Sequence, residues 1–231
     1  MALQLSERIL DKFIAPEFSK LTSCDVPELP ALPNYLGSWV VHSALVGPPP
    51  DRTIPLTIIF LRRLALAARE YTSGREHVLQ CVAALPHSSE AVTSYLRALS
   101  HFEQCVVAAA LALSARHSIG KMYDPPNYKK FELPIGSSEQ RLWALYKSIK
   151  HFNEWIEEKQ DAPADVPVWL TPQGLRSRKK KSEEFVDLRF SELVELLTEL
   201  KPDAKWLSED VFRTALERKR QREAEEGSGA T

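Results

Sequence analysis

A mainly α-helical fold, a helical bundle with a small C-terminal β-hairpin, is predicted by three features of the chain. Glycine is scarce, at 8 of 231 residues, while 16 prolines cluster in the gaps between apolar blocks. Such punctuation marks helices joined by stiff loops. One stretch, 90–117, keeps three-four apolar spacing over many turns, as one buried helical face requires. Two short β-prone pieces, 168–171 and 185–190, flank polar turns and suggest an antiparallel pair.

Taken in order, Leu5, Ile9 and Phe13 sit at helical spacing, and Pro16 closes that first helix. Pro27, Pro30 and Pro33 then exclude helix and favour an extended strap, read as a packed linker rather than a signalling PxxP ligand. Residues 38–46 are apolar and short, helix or strand by periodicity. A helix over 56–71 is expected to stop at Ser73-Gly74, and another to run over 75–85 as far as Pro86. Ser88 and Ser89 offer N-caps for the longest helix, 90–117, about 42 Å long at 1.5 Å per residue. Its apolar face is read as Val92, Tyr95, Leu96, Leu99, Phe102, Val106, Ala110 and Leu113. A capping-box pattern at 137–140 opens the next helix, which carries Leu142, Leu145, Tyr146, Ile149, Phe152 and Ile156 to about Lys159. After the hairpin, Ser191 caps a helix through Leu200, Pro202 breaks it, and a last helix starts at Ser208. The domain reading is therefore 1–37 N-terminal helix and strap, 38–160 bundle core, 161–218 hairpin and C-terminal helices, and 219–231 disordered tail.

Lysine plus arginine total 30 against 31 acids, a net charge of -1, which excludes nucleic-acid binding by bulk charge. Cys24, Cys81 and Cys105 form no C-x-x-C pair, and an odd count without a leader reads as reduced thiols. The run 54–68 is broken by Arg62 and Arg63, and 105–113 is about half the roughly 20 residues a bilayer needs. The expectation is a cytoplasmic chain with no membrane partner. No Gly-rich phosphate loop, H-E-x-x-H, helical His pair four apart or G-x-S-x-G elbow occurs. Neither a cofactor nor a metal is expected.

Three sets of residues stand out. With Val92 at zero and 100° per residue, Glu103 falls at about 20°, inside the apolar stripe of the longest helix. A carboxylate there needs a partner or a raised pKa. The alternatives are a site residue, a structural buried pair, or an acid reaching out at the helix edge. Lys147, Lys150 and His151 point away from the apolar face of their helix, as acid/base and anion-holding groups or as an ordinary solvated face. Arg176, Arg178, Lys179, Lys180 and Lys181 form a basic cluster at the hairpin, suited to phosphate contact or to a solvated turn.

The segments ALSHFE, ending at Glu103, and SIKHF, containing His151, resemble HEPN-type helical bundles. Those modules are often dimeric, occur in toxin and defence systems, and include metal-free ribonucleases. The resemblance implies His151 as general acid/base, Lys147 or Lys150 on phosphate, and Glu103 orienting a basic partner. The R-x4-6-H motif of the nucleases is not intact, because Ala144, Leu145 and Tyr146 stand where arginine belongs. The function expected is that of an intracellular association protein, non-catalytic and divergent, forming a homo-oligomer or holding a protein partner. The alternative is a metal-independent ribonuclease with RNA as partner.

Overall fold

The structure, a computed structural model, describes residues 7–47, 52–84, 88–127, 131–158, 166–178, 184–214 and 216–217. Its helices are α1 (Glu7–Phe13), α2 (Tyr35–Val46), α3 (Ile54–Ala83), α4 (Ser89–Tyr123), α5 (Ser138–Lys150), α6 (Phe152–Glu158), α7 (Phe190–Glu199) and α8 (Lys201–Lys205). Strands β1 (Trp169–Thr171), β2 (Gly174–Arg178) and β3 (Phe185–Arg189) form one antiparallel sheet in the order β1-β2-β3. The expected mainly helical fold with a small sheet near the C-terminus is what the chain adopts. It divides into two compact units: 1–30, 66–110 and 132–198 in the first, and 31–65, 111–131 and 199–231 in the second.

In the first unit, α3 buries Ala67, Tyr71, Val78 and Cys81, and α4 buries Ala91, Tyr95, Ala98, Phe102, Cys105 and Ala109. Steps of four and three alternate along both helices, the 3.5-residue period that lets two helices keep one seam in contact. The expected helix break at Ser73-Gly74 is absent, and α3 runs straight through. Gly74 is instead a notch: a Cβ there would stand 3.0 Å from the Phe102 ring. Phe102 in turn meets Tyr71 edge-on at 5.7 Å and Phe190 at 4.9 Å. A glycine inside a helix is tolerated where close packing repays its entropy.

Of the expected α4 face, Tyr95, Leu99, Phe102, Val106, Ala110 and Leu113 are buried, and the buried arc extends to one side of it through Ala91, Ala98, Cys105 and Ala109. Leu96 is exposed, and small residues fill the seam. By length and composition α4 is the one described helix able to cross a bilayer, with hydropathy 1.3, but 61% of that window is buried in the protein.

The sheet has three strands, where two were expected. The overlooked strand is β2, whose inward positions Leu175 and Ser177 alternate with Arg176 and Arg178. Ser177 is buried because its hydroxyl donates to the Pro167 carbonyl at 2.7 Å. Gly174 pairs with Arg189, and a Cβ on it would lie 2.1 Å from the Leu188 carbonyl oxygen, so only glycine fits. α5 packs on β2 and β3. Its start matches the sequence: Ser137 Oγ accepts from Gln140 N–H at 3.1 Å, and Gln140 Oε1 accepts from Gly136 N–H at 2.7 Å. The helix expected to reach 159 is interrupted at His151, which caps α5 with φ -104°. The strap packs: the Tyr71 hydroxyl donates to the Pro27 carbonyl at 2.7 Å and Arg75 Nε to that of Val26 at 3.0 Å.

In the second unit, Asn34 Oδ1 accepts from Gly37 N–H and starts α2, which settles 38–46 as helix. Trp39 and His42 of α2 pack on Phe212, and His42 Nδ1–H donates to the Ser208 carbonyl at 2.7 Å. The expected break near Pro202 is present: α7 ends at Glu199, and Pro202 sits in the first turn of the short α8, where no N–H partner is needed. A π-turn over Trp206–Asp210 follows. The expected tail, 219–231, lies outside the described residues.

Candidate functional site

A polar cluster sits on one edge of the α3–α4 seam in the first unit. Glu70 and His77 are seven apart on α3 and share a face. Glu70 is only 4% exposed, yet both its oxygens are used. Oε1 accepts from Arg69 Nη2 at 2.7 Å and Nε at 3.1 Å; Oε2 accepts from His101 Nδ1–H, on α4, at 2.7 Å. Burial pushes the Glu70 pKa up, but the hydrogen bonds from His101 and Arg69 outweigh it, and the net effect is downward. A carboxylate only accepts, so the proton on His101 is fixed at Nδ1. The His101 ring stacks on His77 with centroids 5.3 Å apart and 11° between planes. His77 Nδ1–H donates to Gln80 Oε1 at 2.9 Å. Both imidazoles thus commit Nδ1, and neither Nε2 has a hydrogen-bond partner among the described residues.

This geometry was invisible in the sequence because the partners Glu70 and His101 lie 31 positions apart. The available signal was the pairing of Glu70 with His77 along one helix edge.

The residues singled out from sequence lie elsewhere. Glu103 stands about 120° from the centre of the α4 seam, at the rim of the buried arc. It is half-buried, its pKa is raised to about 7 by burial, and no hydrogen bond or ion pair holds it among the described residues. Nothing of that kind joins it to Lys147, Lys150 or His151. Lys147 and Lys150 are exposed in the last turn of α5, and His151 Nδ1–H donates to Glu154 Oε2 at 2.8 Å on the surface.

Arg176 is a cross-strand ion pair rather than a turn cation. Its Nε donates to Asp187 Oδ1 at 2.6 Å, its Nη1 to Glu17 Oε2 at 3.1 Å, and its guanidinium lies 5.3 Å from the Phe185 ring centroid. The hydrogen bond with Asp187 raises its pKa further. Arg176 also lines a cleft of 380 Å³ with Glu17, Lys20 and Gln173. Glu17 is the one described non-glycine residue with positive φ, at 64°. Arg178 ends β2, half-buried; Lys179, Lys180 and Lys181 lie outside the described residues. Among the described residues no three His, Cys, Asp or Glu side chains cluster as metal ligands would.

In the second unit, α2 carries no Asp, Glu, Lys or Arg, and its polar side chains besides the Tyr35 and Trp39 tips are Ser38, His42 and Ser43. Only Tyr35 and Trp39 are buried. Val40, Val41 and Leu45 are 53%, 55% and 77% exposed, and Ala44 between them is open too. An apolar helix face of this kind is normally buried. No family model, curated protein or solved structure matches the chain.

Proposed function

We propose that the chain is an intracellular association protein that acts as a homodimer through α2. The supporting observation is the open stripe Val40, Val41, Ala44 and Leu45 on a helix without a single charge. Exposed contiguous apolar surface is where protein partners dock. A second copy suits this stripe because nothing on α2 repels itself across a two-fold axis, and an isologous contact uses one patch twice. The small, exposed Ala44 lets two helix backbones approach closely. The HEPN-like resemblance agrees with a dimeric, non-catalytic helical module. Sedimentation velocity on the purified chain tests the reading. Wild type is expected as a dimer and Leu45→Glu as a folded monomer; a monomeric wild type, or a dimer indifferent to Leu45→Glu, overturns it.

A metal-independent ribonuclease is the second reading. It is favoured by the carboxylate-held imidazole of His101 beside His77, since a buried acid that fixes the tautomer of a partly exposed histidine is how general bases are built. Labelled RNA incubated with chelator is expected to stay intact. Cleavage that is lost in His101→Ala or His151→Ala and kept in His117→Ala would put the enzyme first.

A further inference from the structure

We infer that the stacked His77–His101 pair, with Arg69, is a binding site for a dianionic phosphate group of the phosphomonoester kind. The inference stands on the cluster alone and needs neither reading above. Each ring has one committed nitrogen. Nδ1–H of His101 goes to Glu70 and Nδ1–H of His77 to Gln80, so the remaining nitrogen of each ring is Nε2. Those two atoms take no hydrogen bond among the described residues, while the rings that carry them are partly exposed and nearly parallel.

Each ring offers its Nε2 and Arg69 offers Nη1, so the cluster suits an anion with several acceptor oxygens. A phosphate dianion brings more acceptor oxygens and more charge to these groups than a diester does.

The surrounding charges point the same way. Arg69 spends Nε and Nη2 on Glu70 Oε1 and keeps Nη1 for another acceptor, with its side chain 71% exposed. Arg97 lies one turn before His101 on α4, exposed and without an ion pair among the described residues. Glu70 accepts at both oxygens from His101 and Arg69, and these donors offset its charge toward an incoming anion. Cys105, the other titratable group near Glu70, keeps its proton because burial drives its pKa up, with the Glu70 charge adding to it. Glu76 is exposed and points from a different side of α3 than His77.

The test is long-range ¹H–¹⁵N NMR of the histidine rings in the full chain at pH 7, titrated with inorganic phosphate and separately with dimethyl phosphate. Phosphate is expected to move Nε2 of both His77 and His101 saturably toward the protonated position. Arg69→Gln also removes two donors to Glu70, so its folding is checked by circular dichroism; the folded variant is expected to show a response weakened about fivefold. His77→Gln is expected to abolish the response at His101. Rings that ignore phosphate in the wild type overturn the site. So does an unchanged His101 response in His77→Gln. Dimethyl phosphate that binds as tightly as phosphate overturns the assignment to a dianion.

Discussion

Glu70 is the more deeply buried of two acids on neighbouring helices, and it is the one that stays ionised. Glu103, only half-buried on α4, has its pKa raised to about 7, while that of Glu70 on α3 is lowered. Depth penalises the charge of both acids. The difference lies in partners: Glu70 receives His101 and Arg69, and Glu103 receives no hydrogen bond or ion pair among the described residues. At Glu70 two donors outweigh the desolvation, and at Glu103 desolvation acts without any donor among the described residues to oppose it.

The strongest way to break this comparison is to remove the deep charge. Glu70→Gln keeps the volume but leaves His101 and Arg69 facing a neutral amide. The expected loss is about 3 kcal/mol in urea unfolding at pH 7, the scale of breaking a buried charged pair. Because the pKa of Glu70 is lowered on folding, its contribution is complete above the ordinary carboxyl pKa of 4.5. It is lost as pH falls through the lower folded value. Wild type and Glu70→Gln curves are therefore expected to converge in acid. A loss under about 0.5 kcal/mol at pH 7 would mean the two donors do not act as described.

Glu103→Gln sharpens the contrast with the opposite sign. The folded carboxyl holds its proton to about pH 7, and the unfolded one releases it near the ordinary 4.5. Between those values the folded state binds more protons, so stability falls as pH rises through the window. Removing the group is expected to stabilise the protein at pH 8, relative to wild type, by about 2 kcal/mol after allowing for residual solvent screening. At pH 4 the difference should nearly vanish. Thermal melts at the two pH values measure it, and equal differences at both would show that Glu103 is freely solvated.

These two acids also show what the chain discloses in one dimension. The longest helix is legible because apolar residues recur every three or four positions. Its orientation is less so: large residues such as Leu96 drew the stripe toward themselves, and the seam belongs to Ala91, Ala98, Cys105 and Ala109. Small side chains carry little hydropathy but allow helices close together. With the buried arc centred further round, Glu103 moves from inside the stripe to the rim of the arc. Strand β2 was hidden for a related reason, since Ser177 fills an inward place that alternation reserves for an apolar residue. The cluster at Glu70 depends on a contact across 31 positions, and local periodicity has no means of recording that.

Gly74 bears on both helices, and its smallest change is the most local probe of the Glu70 side. Alanine adds a methyl 3.0 Å from the Phe102 ring. Helix propensity alone favours alanine by about 1 kcal/mol. Against that, Phe102 is fully buried and held by Tyr71 and Phe190, so the ring has nowhere to retreat and overpacking costs about 2 kcal/mol. A net loss of about 1 kcal/mol is expected. Its pattern matters more than its size. Phe102 precedes Glu103 and follows His101, and displacing it shifts the α4 backbone against α3 where His101 reaches Glu70. The double variant with Glu70→Gln is therefore expected to be less destabilised than the two single losses added, by at least about 0.5 kcal/mol, because the bond that Gly74→Ala disturbs is already gone. Strict additivity in a double-mutant cycle would mean that the glycine notch and the buried acid are independent, and that the close helix approach does not place the His101–Glu70 pair.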